Sequence, residues 1–123
     1  MSQMLAETPD EIVLLAQIED PPGAEAFEEI AAVDGIDGLF VGRADLAVGL
    51  GLNDFSAPGV TAATHRILGA TGAVTGLYCA PGEELSAHHA AGASIFVVGS
   101  DHTALRAGAA LDRDLFAPLM ETG

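Results

Sequence analysis

The 123-residue chain sets 18 acidic residues against four arginines and no lysine, a formal charge of −14, so it has no basic stripe for nucleic acid or an anionic membrane surface. Half of it is hydrophobic, which excludes a disordered chain, and no apolar run approaches the roughly 18 residues of a membrane span. The length suits one domain over residues 1–123. The opening MSQMLAETPDE has neither a basic start nor an apolar core, so no signal peptide and a cytoplasmic location are expected, in keeping with the single cysteine, Cys79.

Four short apolar runs punctuate the chain, each followed by a segment of helical character. The first is Ile12 to Ile18 (IVLLAQI), followed by GAEAFEEIAAV, which sets Phe27, Ile30 and Ala31 on one face and a solvated Glu25, Glu28, Glu29 cluster on another. The second is Gly38 to Val41 (GLFV). After it comes a glycine-opened loop, then APGVTAATHRILGA with a stripe of Val60, Ala63, Ile67 and Leu68. The third is Val74 to Tyr78 (VTGLY), followed by PGEELSAHHAAG, where Pro81 suits a first helical turn and Gly92 an end. The fourth is Ser94 to Val98 (SIFVV), followed by HTALRAGAALDRDLF.

Continuous rather than alternating apolar runs are the mark of strands covered on both faces. The order βαβαβαβα therefore predicts an α/β fold with a parallel sheet and right-handed crossovers. Two architectures satisfy it: an open doubly wound sheet, or four units of a (β/α)₈ barrel.

In both, ligands sit at the C-terminal ends of the strands. Those ends read Gln17-Ile18-Glu19-Asp20, Gly42-Arg43-Ala44-Asp45, Cys79-Ala80 and Gly99-Ser100-Asp101. Gln17 and Glu19 are two apart and share a face of the first strand. Glu19 and Asp45, at neighbouring strand ends, are placed to approach one another. Two carboxylates at a partly dry site repel, and a divalent cation between them removes the conflict. Carboxylates with water or substrate oxygens are the ligand set of Mg²⁺, with Mn²⁺ as the near alternative. An acid after a strand also serves as a helix cap or turn residue, so both readings stand. Gly42 would let the backbone approach a ligand, with the Ala44 and Asp45 amides turned to an anionic group; an ordinary tight turn is the other reading.

The remaining signals are weaker. GLGLND has G-x-G but no third glycine and no strand directly before it, so it fails as a dinucleotide fingerprint. Cys79 reads as a small buried residue without a base beside it. Gly99-Ser100-Asp101 opens a helix but lies among acids, which argues against a phosphate site. His65, His88 and His89 fall on helices and are expected to face solvent.

LLAQIED followed by IAAVDGIDGLFVGRADLAVGLG resembles the HpcH/HpaI aldolase family, the class II pyruvate aldolases, over about Ile12 to Leu111. The specific part is the pair Q-[IV]-E and D-G-[IL]-F-[IV]-G-x-x-D-L, separated as in the family. The resemblance implies the C-terminal half of a (β/α)₈ TIM barrel, Glu19 and Asp45 as metal ligands, Gln17 as a substrate contact, and Gly42, Ala44 and Asp45 around a pyruvate carboxylate. It implies cleavage of a 4-hydroxy-2-oxo acid to pyruvate and an aldehyde, with Mg²⁺, or else Mn²⁺ or Co²⁺, as Lewis acid. A Schiff-base mechanism is excluded for this polypeptide because it has no lysine.

The chain also departs from the family. Arg43 stands where the family often has proline. The family's histidine base and an arginine lie on the first half of the barrel and have no match here, and His102 after the last strand is not assigned to that role. The expectation is an aldolase incomplete without an N-terminal half, supplied by a complementary chain or replaced by self-association. A non-catalytic half-barrel or a small-molecule or metal-binding module is the alternative.

Overall fold

The computed structural model describes residues 12–80 and 82–120. Along them run β1 (Leu15–Ile18), α1 (Pro21–Ala31), β2 (Gly38–Val41), α2 (Arg43–Gly49), α3 (Pro58–Leu68), β3 (Val74–Cys79), α4 (Glu83–Ala90), β4 (Ile95–Val98) and α5 (Asp101–Met120). The four strands form one parallel sheet in the order β1-β2-β3-β4, so each strand pairs with the next one in the chain. This is the α/β alternation that the sequence predicts.

The elements begin and end for local reasons. α1 starts two residues before the expected glycine, because Pro21 and Pro22 tolerate the first turn and the Asp20 carboxylate accepts from Gly23 N at 2.8 Å. Asp20 is thus a helix cap. Gly92 follows α4 with φ +118°, where a β-carbon would also run into the Leu68 carbonyl. The Pro81 expectation lies outside the described residues. β1 is shorter than the apolar run suggested: Ile12, Val13 and Leu14 are exposed and only Leu14 is tied, through Asp37.

The helices bury one face of the sheet. Ile18, Leu39, Val41 and Leu77 from the strands pack with Phe27 of α1, Leu46 and Ala47 of α2, and Val60, Ile67 and Leu68 of α3. Burying such side chains at roughly 25 cal/mol per Å² is the main force joining sheet to helices. The opposite face carries Gln17, Phe40, Tyr78 and Val97, and no described element covers it; Tyr78 and Val97 remain 47% and 48% exposed. Tyr78 and Val97 take inner-face positions, and their neighbours Leu77 and Phe96 point toward the helices.

Gly76 makes the sheet possible at its centre. A β-carbon there would stand 2.5 Å from the Ile95 carbonyl oxygen and 2.6 Å from Ile95 Cβ. α5 stands almost wholly in solvent, with Leu105, Leu111, Leu115 and Phe116 between 63% and 75% exposed.

Candidate active site at the C-terminal strand ends

The ends of β2 and β3 frame a cavity of about 380 Å³. Gln17, Gly42, Ala44 and Asp45 line it, so four of the five residues singled out from the sequence share one space. Phe40, Phe55 and Tyr78 give it an apolar wall, and Arg43 and Glu84 a charged one.

Glu19, the fifth, is not in the lining. It lies one step back, accepting from Gln17 Nε2 and packed against Gly42. Gly42 is needed here for space rather than for backbone freedom: its φ is −89°, but a β-carbon would stand 2.8 Å from Glu19 Cβ and 3.0 Å from Glu19 Oε2. The glycine thus lets the first strand end lie close over the second.

Residues 43–49 are a helix, α2, and not the loop read from the sequence. Gly42 is its N-cap, and the first intrahelical bond runs from Leu46 N to Gly42 O at 3.0 Å. The amides of Arg43, Ala44 and Asp45 therefore have no acceptor within the helix, as at every helix start. They open beside the cavity that these residues line.

The donor set suits a hard cation. Glu19 and Asp45 are carboxylates with no ion-pair partner among the described residues, whose ion pairs are Arg43–Glu84, His88–Glu84 and Arg113–Asp114. No cluster of three or more His, Cys, Asp or Glu side chains fit for a metal occurs among the described residues. Any cation here would take at most two protein carboxylates and fill its shell with other oxygens.

Arg43 and Glu84 carried no role in the sequence. Arg43 is buried; its Nη1 donates to Glu84 Oε1 at 2.5 Å and its Nη2 to the Tyr78 carbonyl at 3.1 Å. Forty-one residues separate the pair, and no local pattern announces it. The Arg43 hydrogen bond holds the Glu84 carboxyl below its ordinary value, against the opposing effect of burial.

Behind the sheet the histidines depart from expectation. His88 is buried, not solvent-facing, and His65 is half-buried with its ring edge-on to His88 at 5.3 Å. Neither nitrogen of His88 has a hydrogen-bond partner, and Glu84 Oε1 lies 3.7 Å from its Nε2. Burial, then Arg43 and His65, hold His88 below its ordinary pKa, with Glu84 opposing them. Cys79 is buried as expected, and burial followed by Glu84 pushes its thiol up, so it is no ready nucleophile. His89 and His102 are exposed, and no histidine lines the cavity.

Comparison with known proteins gives these positions a context. Residues 2–107 match the family model described as HpcH/HpaI aldolase/citrate lyase. The hydroxypyruvate/pyruvate aldolase of Deinococcus radiodurans is 43% identical over 107 residues, covering 82% of this chain and 38% of that protein. The 5-keto-4-deoxy-D-glucarate aldolase of Shigella dysenteriae is 35% identical over 105 residues, covering 82% of this chain and 41% of that protein. The crystal structure of a HpcH/HpaI aldolase/citrate lyase family protein from Burkholderia cenocepacia superposes with a TM-score of 0.80 at 31% identity, covering 92% of this chain and 46% of that one. The chain thus spans about two fifths of the length of the curated relatives it matches, and the fold is that of about half a barrel.

Proposed function

Since the chain belongs to the HpcH/HpaI aldolase/citrate lyase family, we propose that it forms the metal- and pyruvate-binding half of an aldolase that cleaves a 4-hydroxy-2-oxo acid to pyruvate and an aldehyde. The observation that carries the reading is the sharing of one cavity by Gln17, Gly42, Ala44 and Asp45, drawn from different strand ends. Glu19 and Asp45 would hold the divalent ion, Mg²⁺ before Mn²⁺ or Co²⁺. When bound, that ion supplies Lewis-acid stabilisation of charge on the 2-oxo acid oxygens. The Ala44 and Asp45 amides bind the substrate carboxylate at the α2 start, and the Gln17 amide holds Glu19 and contacts the substrate. Phe40, Phe55 and Tyr78 form an apolar wall that excludes water on one side.

The cavity contains no histidine and no unpaired arginine. In this reading the proton-transfer group comes from the other half of the barrel, closing over Tyr78 and Val97. The same observation favours a second reading, a half-barrel that binds metal or a small acid but turns nothing over.

A retro-aldol assay separates the two. Pyruvate release from a 4-hydroxy-2-oxo acid is measured for the chain alone and for the chain co-expressed with the first four βα units of a relative, with and without a chelator. Chelator-sensitive turnover in the co-expressed sample, abolished by Asp45→Asn, supports the aldolase. An assembled complex that binds Mn²⁺ but releases no pyruvate supports the second reading.

A further inference from the structure

Arg43 is the one cation lining the cavity, and its guanidinium is held from three sides. Besides its bonds to Glu84 and to the Tyr78 carbonyl, its Cζ lies 5.1 Å from the Phe55 ring centroid. Glu84 in turn accepts from Ala80 N at 3.3 Å through its second oxygen. A continuous line of contacts therefore runs from the first residue of α2, through Arg43 and Glu84, to the segment that follows β3.

That line answers a local weakness. α2 has seven residues, and its N-cap Gly42 offers no side-chain bond. A helix so short does not sustain itself and needs an outside tether. Leu46 and Ala47 supply one by packing into the core, but they anchor its middle. At its start, the Arg43–Glu84 bond is the one ion pair that α2 makes among the described residues.

We propose that Arg43 and Glu84 are positioning residues, a clasp that fixes the first turn of α2 and with it the Asp45 carboxylate and the Ala44 and Asp45 amides. The role attached to Asp45 rests on the function proposed above; the order of α2 does not. Arg43 does its work with both terminal nitrogens already engaged by protein acceptors. It shapes the site through α2 and leaves the cation and the substrate carboxylate to other groups.

The test uses the 123-residue chain with Arg43→Ala, Arg43→Lys and Glu84→Gln. Amide hydrogen exchange is followed at Leu46, bonded to Gly42 O, and at Gly42, bonded to Ile18 O. Mn²⁺ affinity is measured on the same samples. A charge-assisted bond of ordinary strength predicts exchange at Leu46 faster by about tenfold in Arg43→Ala and Glu84→Gln, with Gly42 little changed. Mn²⁺ binding weakens in parallel, and Arg43→Lys restores part of both. Unchanged exchange at Leu46, or equal acceleration at Leu46 and Gly42, overturns the clasp, the latter by showing a general loss of stability. Wild-type Mn²⁺ binding indifferent to Asp45→Asn overturns the metal reading instead, and the exchange result still decides the clasp.

Discussion

Glu19 Cβ and its Oε2 stand 2.8 and 3.0 Å from the place where a β-carbon on Gly42 would lie. The first contact is with a carbon beside the backbone, which cannot swing away as a carboxylate tip can. Gly42→Ala should therefore cost about 1–3 kcal/mol, the usual penalty of an overpacked site. It should also push Glu19 from its bond with Gln17. Chemical denaturation and Mn²⁺ titration of the variant check both effects. Wild-type stability would mean that the two strand ends part more easily than this packing implies.

For the isolated chain we expect weak divalent-cation binding, lost in Glu19→Gln and in Asp45→Asn. Two protein carboxylates leave most of the coordination shell to water, so affinity is modest. Calorimetry with Mn²⁺ measures it. Equal binding by both variants would assign the cation to the diffuse acidic surface of a chain with a charge of −14.

Acid should destabilise the protein in two stages. His88 is held below its ordinary value of 6.5, first by burial, so in that interval the unfolded chain binds a proton that the folded one refuses. Its contribution is whole above pH 6.5 and is lost as pH falls from there through the lower folded value. Glu84 is held below 4.5, first by Arg43, and its contribution is lost in the same direction but starting from about pH 4.5. Thermal melts between pH 7.5 and 3.5 should show the first stage vanish in His88→Gln and the second in Glu84→Gln. A His88→Gln protein with the wild-type slope between pH 6.5 and 5 would remove His88 as the cause.

The chain should associate. Tyr78, Val97 and Val74 on the inner face are each 45–48% exposed, and four large apolar residues of α5 are more exposed still. The outer edges of β1 and β4 are unpaired among the described strands, and an open edge is a template for pairing. Light scattering across a dilution series should give a mass above that of one chain, 12.4 kDa. Tyr78→Lys should lower that mass if the inner face is the surface used. A cooperative monomer at low micromolar concentration would show that the open sheet is self-sufficient.

The order of strands and helices was legible because each buried strand is a continuous apolar run and each covering helix has its own stripe. The same continuity hid which residues face which wall. In Gly76-Leu77-Tyr78 and Phe96-Val97-Val98 no polar residue marks a side, and only the folded sheet puts Leu77 and Phe96 toward the helices and Tyr78 and Val97 on the inner face. α2 was hidden because a glycine stands at each end of it and its buried pair, Leu46 and Ala47, is too short a signal for a period. His88 was misread because α4 has no apolar stripe to set its inward face; the neighbours that bury it come from elsewhere in the chain. Gln17, Gly42, Ala44 and Asp45 could be found because a parallel sheet collects its strand ends in one place. The Arg43–Glu84 pair could not, since only the crossover between β2 and β3 brings it together.

The sheet order has a consequence in time. Every strand pairs with the one synthesised just before it, across a single local crossover. Each crossover joins consecutive strands, so the entropy of closing it is met one at a time. A chain emerging from the ribosome can therefore lay down its sheet strand by strand, each new strand docking on the edge left by the last.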